Sequence, residues 1–268
     1  MTKPSHSADP IAGKPASLPE DPPLAYEDAP FLDSDDGRSL RILAEYLEPL
    51  QRFRDARVCE TIVFFGSARL TEDGPLGNYY RDARELARRV TAWSQGLASD
   101  KHRYVVCTGG GAGIMEAANR GARDAGGKTI GLNIALPFEQ HLNSAVTPEL
   151  AFQFHYFFMR KLWFAHLARA LVVFPGGFGT LDEMTEILTL AQTGKLEQRI
   201  PIVLYGKAYW QEILDVDALV RHGMIDKGDL ELFGYADDPA AALALIQAGI
   251  RHVHDASTPA FAHSRTCP

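Results

Sequence analysis

Residues 104–122 read YVVCTGGGAGIMEAANRGA, and this stretch decides the fold. Tyr104-Val-Val-Cys107 is a short apolar, β-branched run that predicts a buried strand. It breaks at Thr108 into Gly109-Gly110-Gly111-Ala112-Gly113, and Ile114 to Ala125 then reads as a helix crowded with small residues. Strand, glycine loop and helix make one unit of a parallel sheet. Working outward, Thr61–Phe65 predicts an earlier strand. Tyr79–Leu97 predicts a helix with Tyr79, Ala83, Leu86, Val90, Trp93 and Leu97 on one face. Downstream, strands are expected at Thr129–Ile134, Leu171–Phe174 and Pro201–Leu204. Helices are expected at Tyr156–Ala168, Leu181–Thr193, Tyr209–Arg221 and Asp238–Gln247. Strands alternating with helices imply a mainly parallel sheet with helices on both faces, a single doubly wound α/β domain over about residues 38–250. A helix at 39–54 precedes it, with Leu40, Leu43, Leu47 and Leu50 in register and Pro49 expected to bend or restart it.

Charge separates the N-terminal segment from this body. Residues 1–37 hold two cations and eight anions, whereas the rest holds 25 cations and 26 anions. Seven of the sixteen prolines also fall there, so 1–37 is expected to be a disordered acidic tail, and 251–268 a flexible one. The near-neutral body lacks the basic face that nucleic-acid binding requires. The most apolar stretch, Leu162–Phe174, is interrupted by His166 and Arg169, so no membrane span is expected. Residues 1–30 have no apolar core of a signal peptide. Cys59, Cys107 and Cys267 are widely spaced and suggest neither a disulfide framework nor a metal or redox motif. The expected compartment is the cytoplasm.

In a doubly wound sheet, ligands bind beyond the carboxyl ends of the strands. Three predicted strand ends carry small-residue loops: Gly66-Ser67, the Gly109–Gly113 run with Gly110, Gly111 and Gly113, and Pro175-Gly176-Gly177-Phe178-Gly179-Thr180. Glycine lets the backbone approach an anion, and a following helix N-terminus presents N–H groups and the positive end of its dipole. One such loop is as well explained as a tight turn; three in one sheet point to a phosphate ligand. The nicotinamide fingerprint fails, because Ile114 stands where its third glycine belongs and the next strand ends near Asn133 without an acid. The nucleotide-triphosphate loop also fails, because Ala122 stands where Gly127-Lys128-Thr129 would need a glycine.

Metal and nucleophile readings find little support. His252 and His254 lie in a polar stretch, His155 and His166 read as core or interface residues, and no GxSxG elbow exists. Two clusters remain. Arg160-Lys161 precedes the strand that feeds the third loop, and Glu183 and Glu186 lie one turn apart on the helix after it. A carboxylate there could stabilise positive charge at an electron-poor carbon, or merely complement the helix dipole. Asp182 fits the dipole role; periodicity leaves Glu183 open.

The segments 108–122, Ile130–Gln140 (IGLNIALPFEQ) and Arg160-Lys161 followed by Pro175–Glu183 (PGGFGTLDE) resemble the LOG family. These are cytokinin riboside 5′-monophosphate phosphoribohydrolases, once labelled lysine decarboxylases, and the likeness spans about residues 60–250, closest to the longer bacterial type. The resemblance implies a Rossmann-like fold and hydrolysis of the N-glycosidic bond of an AMP-type nucleotide. It places the catalytic pair on Arg160 and Glu183, and substrate contacts on Lys161, the Gly176–Thr180 loop and Glu139. The family's frequent Met-His-x-Arg-Lys is here Phe157-Phe158-Met159-Arg160-Lys161, so Phe158 replaces a histidine.

No metal or organic cofactor has a role in such a hydrolysis. The apolar circumference of the Tyr156–Ala168 helix, together with the resemblance, predicts a homodimer or larger homo-oligomer. Two rivals belong to other classes. A nucleotide or molybdenum-cofactor carrier would keep the glycine loops but need neither Arg160 nor Glu183. An interaction module would centre on the tail and the 39–54 helix.

Overall fold

The computed structural model describes residues 23–97, 102–136, 141–196 and 199–256, the last four of these without side-chain detail. The chain divides into two compact units, Met1–Arg41 and Ile42–Pro268.

In the first unit, residues 29–33 form helix α1 (Ala29–Asp33). Asp28 caps it by accepting the Phe31 N–H at 3.2 Å, and Pro30 pre-sets its first turn. Local capping thus orders a piece of the segment that composition marked as disordered.

The elements that follow are α2 (Arg38–Asp55), β1 (Thr61–Phe65), α3 (Gly77–Gln95), β2 (Val105–Thr108), α4 (Ile114–Asp124), β3 (Thr129–Ile134) and β4 (Ala151–Phe154). Next come α5 (Phe157–Leu167), β5 (Ala168–Val173), α6 (Phe178–Gln192), β6 (Ile202–Tyr205), α7 (Lys207–Ile213), α8 (Val216–Arg221), β7 (Gly234–Ala236) and α9 (Pro239–Ala256). The seven strands form one sheet in the order β4-β3-β2-β1-β5-β6-β7. Every neighbouring pair is parallel. This is the doubly wound, Rossmann-like α/β architecture that the alternation predicts.

Its two cores follow from the period-two pleat of β1. Ile62 and Phe64 face α3, α4 and α9 through Leu86, Val90, Ala118 and Ile246. Val63 and Phe65 face the other layer, which includes Phe53, Trp163, Phe164 and Ile187. Ala242, Ile246 and Ile250 of α9 are buried at helical spacing, so the helix runs on into the expected flexible tail as far as Ala256.

Two further departures have local causes. Pro49 lies inside a continuous α2 rather than restarting it. Proline has no N–H for the carbonyl four residues earlier, and here Trp163 Nε1 donates to that Glu45 carbonyl at 3.0 Å. The expected helix 209–221 is two helices, because Asp215 caps the second by accepting the Ala218 N–H at 2.8 Å. Cys107 is a buried free thiol.

At the amino ends of β1, β2 and β5, buried Glu60 accepts from Arg103 Nε at 2.6 Å and from Arg169 Nε at 2.9 Å. Burial raises the Glu60 pKa, but the two guanidinium bonds outweigh it and hold the carboxyl below its ordinary value.

Candidate active site

The chain moves outward from β1 to β4 and returns to the other side of β1 with β5, so β1 and β5 flank the topological switch point. All three glycine loops lie at carboxyl ends there. Ser67 ties them together: its N–H donates to the Pro175 carbonyl at 3.0 Å, and its carbonyl accepts the Ile114 N–H at 3.1 Å. Gly113 makes this approach feasible, with φ +66°, since a Cβ would come within 2.3 Å of the Ser67 oxygen. Gly66 abuts the Ile114 side chain in the same junction. These residues assemble the loop cluster, and Ser67 and Gly113 do so through backbone contacts.

The second loop is braced from beneath. Asn119 is fully buried on α4, and its Oδ1 accepts from Thr108 Oγ1 at 2.8 Å and Asn143 Nδ2 at 2.9 Å. Asn143 Nδ2 also reaches the carbonyls of Gly110 and Gly111 at 3.0 and 2.9 Å. The sequence held a signal for this: Asn119 is a polar residue on the buried stripe of Ile114, Ala118 and Ala122, and a buried amide needs partners.

The third loop leads into α6. Gly176 packs against Thr180, where a Cβ would meet Oγ1 at 2.1 Å, and its carbonyl accepts from Tyr209 Oη at 2.8 Å. Gly177 caps α6 without a side-chain bond, and a Cβ at Gly177 or Gly179 would meet nothing within 4 Å. The α6 N-terminus therefore faces open space, the arrangement that accepts an anion.

Arg160 on α5 and Glu183 on α6 meet at that mouth. Arg160 Nη1 lies 2.7 Å from Glu183 Oε1, with side chains 12% and 8% exposed. Arg160 Nε donates to the Leu132 carbonyl at 2.8 Å, and its guanidinium lies 4.9 Å from the Phe164 ring centroid. Gly109 closes the enclosure: a Cβ there would stand 2.9 Å from Arg160 Nη2. Burial raises the Glu183 pKa, and Arg160 opposes the shift.

Lys161 and Glu186 take a different course. Lys161 Nζ pairs with Asp182 at 2.9 Å and Glu186 at 3.0 Å. Burial works against its charge, yet those two bonds prevail and raise its pKa. Glu186 thus belongs to an ion-pair network with Lys161 and Asp182, and of the two glutamates only Glu183 is buried, against Arg160. Glu139 lies outside the described residues. Among the described residues, no group of three or more His, Cys, Asp or Glu side chains is placed to hold a metal ion. Nor is any helix there long and apolar enough to cross a membrane. Cys107 is packed behind the second loop, and burial pushes its thiol pKa up, so it is no nucleophile.

A family model described as "possible lysine decarboxylase" matches residues 115–246. The chain is 27% identical over 172 residues to the probable cytokinin riboside 5′-monophosphate phosphoribohydrolase LOG6 of Arabidopsis thaliana, covering 64% of this chain and 79% of that protein. It is 29% identical over 187 residues to the probable enzyme of the same name LOGL9 of Oryza sativa subsp. japonica, covering 70% and 74%. Among solved structures, the molybdenum cofactor binding protein of Rippkaea orientalis superposes with a TM-score of 0.50 at 21% identity, covering 72% and 97%. That last likeness is one of fold.

Proposed function

This chain belongs to the LOG family of "possible lysine decarboxylase" proteins, and we propose on that premise that it is a nucleoside 5′-monophosphate phosphoribohydrolase. The reaction cleaves the N-glycosidic bond of AMP or an N6-substituted AMP, giving the free base and ribose 5-phosphate. The observation that carries the reading is the buried Arg160–Glu183 pair set against glycine loops at the switch point.

The chemistry follows from that arrangement. The 5′-phosphate docks at the α6 N-terminus through Gly176, Gly177, Gly179 and Thr180, remote from the reacting carbon, and so supplies positioning energy. As the C1′–N bond breaks, its electron pair leaves with the base and positive charge grows on the ribose. Glu183, ionised and shielded from water, stabilises that charge. It also orients the water whose oxygen bonds to C1′ and takes up the proton released, which then passes through solvent to the departing base and restores the carboxylate. Arg160 engages one carboxylate oxygen and keeps the other turned to the substrate. A carrier of nucleotide or molybdenum cofactor would have no use for such a pair, which favours the enzyme. The half-exposed Phe157, Phe158 and Leu162 of α5 support a homodimer or larger assembly.

The decisive experiment incubates pure protein with a panel of nucleoside 5′-monophosphates and follows free base and ribose 5-phosphate. Release of neither product from any of them would overturn the reading.

A further inference from the structure

Helix α5 begins without a cap of its own. Its N-cap residue, Tyr156, makes no side-chain capping bond. The cap comes from Glu45 on α2, 110 residues earlier in the chain. Glu45 Oε1 accepts the His155 N–H at 2.6 Å, and Oε2 accepts the Tyr156 N–H at 3.2 Å. The Tyr156 N–H is one of the orphan donors at the helix start, the His155 N–H precedes it, and a carboxylate at this end also complements the helix dipole. The same residue holds α5 a second time, through the carbonyl that Pro49 leaves unbonded and Trp163 Nε1 fills. Tyr46 and Phe53 of α2 pack on the Trp163 ring at 5.7 and 5.3 Å.

The bonds continue to Arg160. The Tyr156 carbonyl accepts the Arg160 N–H at 3.2 Å, closing the first turn of α5. From that turn, Arg160 must reach both the Leu132 carbonyl and Glu183. We propose that Glu45 is a positioning residue for Arg160, setting the first turn of α5 so that the guanidinium meets the Glu183 carboxylate. This rests on the reading of Arg160 and Glu183 as the reacting pair, and it gives the N-terminal helix a part in the site.

The test compares Glu45→Ala, Glu45→Gln and wild type in the full chain. Displacing a reacting group by about 1 Å costs up to 10²-fold, so Glu45→Ala should lower kcat on AMP by tenfold or more with KM little changed. Glu45→Gln keeps one acceptor oxygen and should recover most of the rate. In an Arg160→Ala background, Glu45→Ala should cost less than twofold further, because residues acting through one another are not additive. A full loss in both backgrounds, or unchanged kcat in folded Glu45→Ala, would overturn the proposal. Hydrogen exchange supplies a readout independent of activity. Amides from His155 to Arg160 should exchange faster in Glu45→Ala, and unchanged protection there would overturn the brace. Should wild type release no base, the proposed function falls, and exchange extending to Arg160 still decides whether Glu45 sets that turn.

Discussion

Arg160 and Glu183 face each other across the layer between α5 and α6, 2.7 Å apart and almost removed from water. Burying an ion pair has a large desolvation cost that the attraction offsets only with good geometry and further hydrogen bonds. Arg160 has such bonds, through Leu132 and the face of Phe164. A protein seeking stability alone gains little from such a pair, so its place beside three glycine loops argues for chemistry.

Glu183→Gln and Arg160→Ala are each expected to lower base release by about 10²- to 10⁴-fold. Glu183→Gln keeps the shape and should leave the circular dichroism spectrum intact. Normal turnover in that folded variant would remove Glu183 from the mechanism.

Burial raises the Glu183 pKa, and the proposed role needs the ionised form. Activity should therefore fall with decreasing pH sooner than for a solvent-exposed glutamate. The acid limb of the kcat/KM profile, measured on AMP, checks this; a limb at or below the ordinary glutamate range would contradict it. Stability has its own sign. Because the folded pKa is the higher one, the contribution of protonated Glu183 is lost as pH rises through that value.

Glu60 behaves in the opposite sense. Its folded pKa lies below the ordinary 4.5 because Arg103 and Arg169 outweigh the burial penalty. Its contribution is present above the unfolded value and lost as pH falls through the folded one. Glu60→Ala removes the buried carboxylate that Arg103 and Arg169 share and should cost about 3 kcal/mol. Urea unfolding at neutral pH measures this, and kcat on AMP should hold in the folded fraction, because Glu60 lies at the amino end of the sheet.

Much of this architecture was legible in the sequence, and the gaps have physical causes. Thr61–Phe65 is buried at all five positions, so an unbroken apolar run identified β1. The strands β4 and β7 escaped because they are short edge strands, AFQF and GYA, without β-branched residues. Arg160 and Glu183 were named by resemblance, while their contact depends on how α5 and α6 pack. Glu45 and Tyr209 left no local signal, since each acts on backbone far away in the chain. Lys161, expected from the resemblance to contact substrate, also pairs with Asp182 and Glu186, a contact across two helices that spacing does not reveal.

The α5 helix buries Met159, Trp163 and Phe164 but leaves Phe157, Phe158 and Leu162 between 40% and 50% exposed. Covering that face should make the protein a homodimer or larger. Light scattering at micromolar concentration measures the mass, and a monomer would contradict the expectation. Phe158→Glu should weaken the assembly.

The phosphate provides the test that depends least on family. If the third loop holds a 5′-phosphate, AMP should be cleaved and adenosine scarcely touched. Charge-assisted hydrogen bonds contribute about 1.5–3 kcal/mol each. Two of them, used to position the substrate, correspond to roughly two to four orders of magnitude in kcat/KM, at about 1.4 kcal/mol per tenfold. Gly177 offers a clean way to remove them. Its φ is −91°, which any residue adopts, and a Cβ there meets nothing within 4 Å. Gly177→Val should therefore fold normally while its branched side chain stands where the anion docks. Its kcat/KM for AMP should fall toward the value for adenosine, and adenosine itself should change little. Cleavage of adenosine by wild type within tenfold of AMP would make the loops ordinary turns and move the site elsewhere.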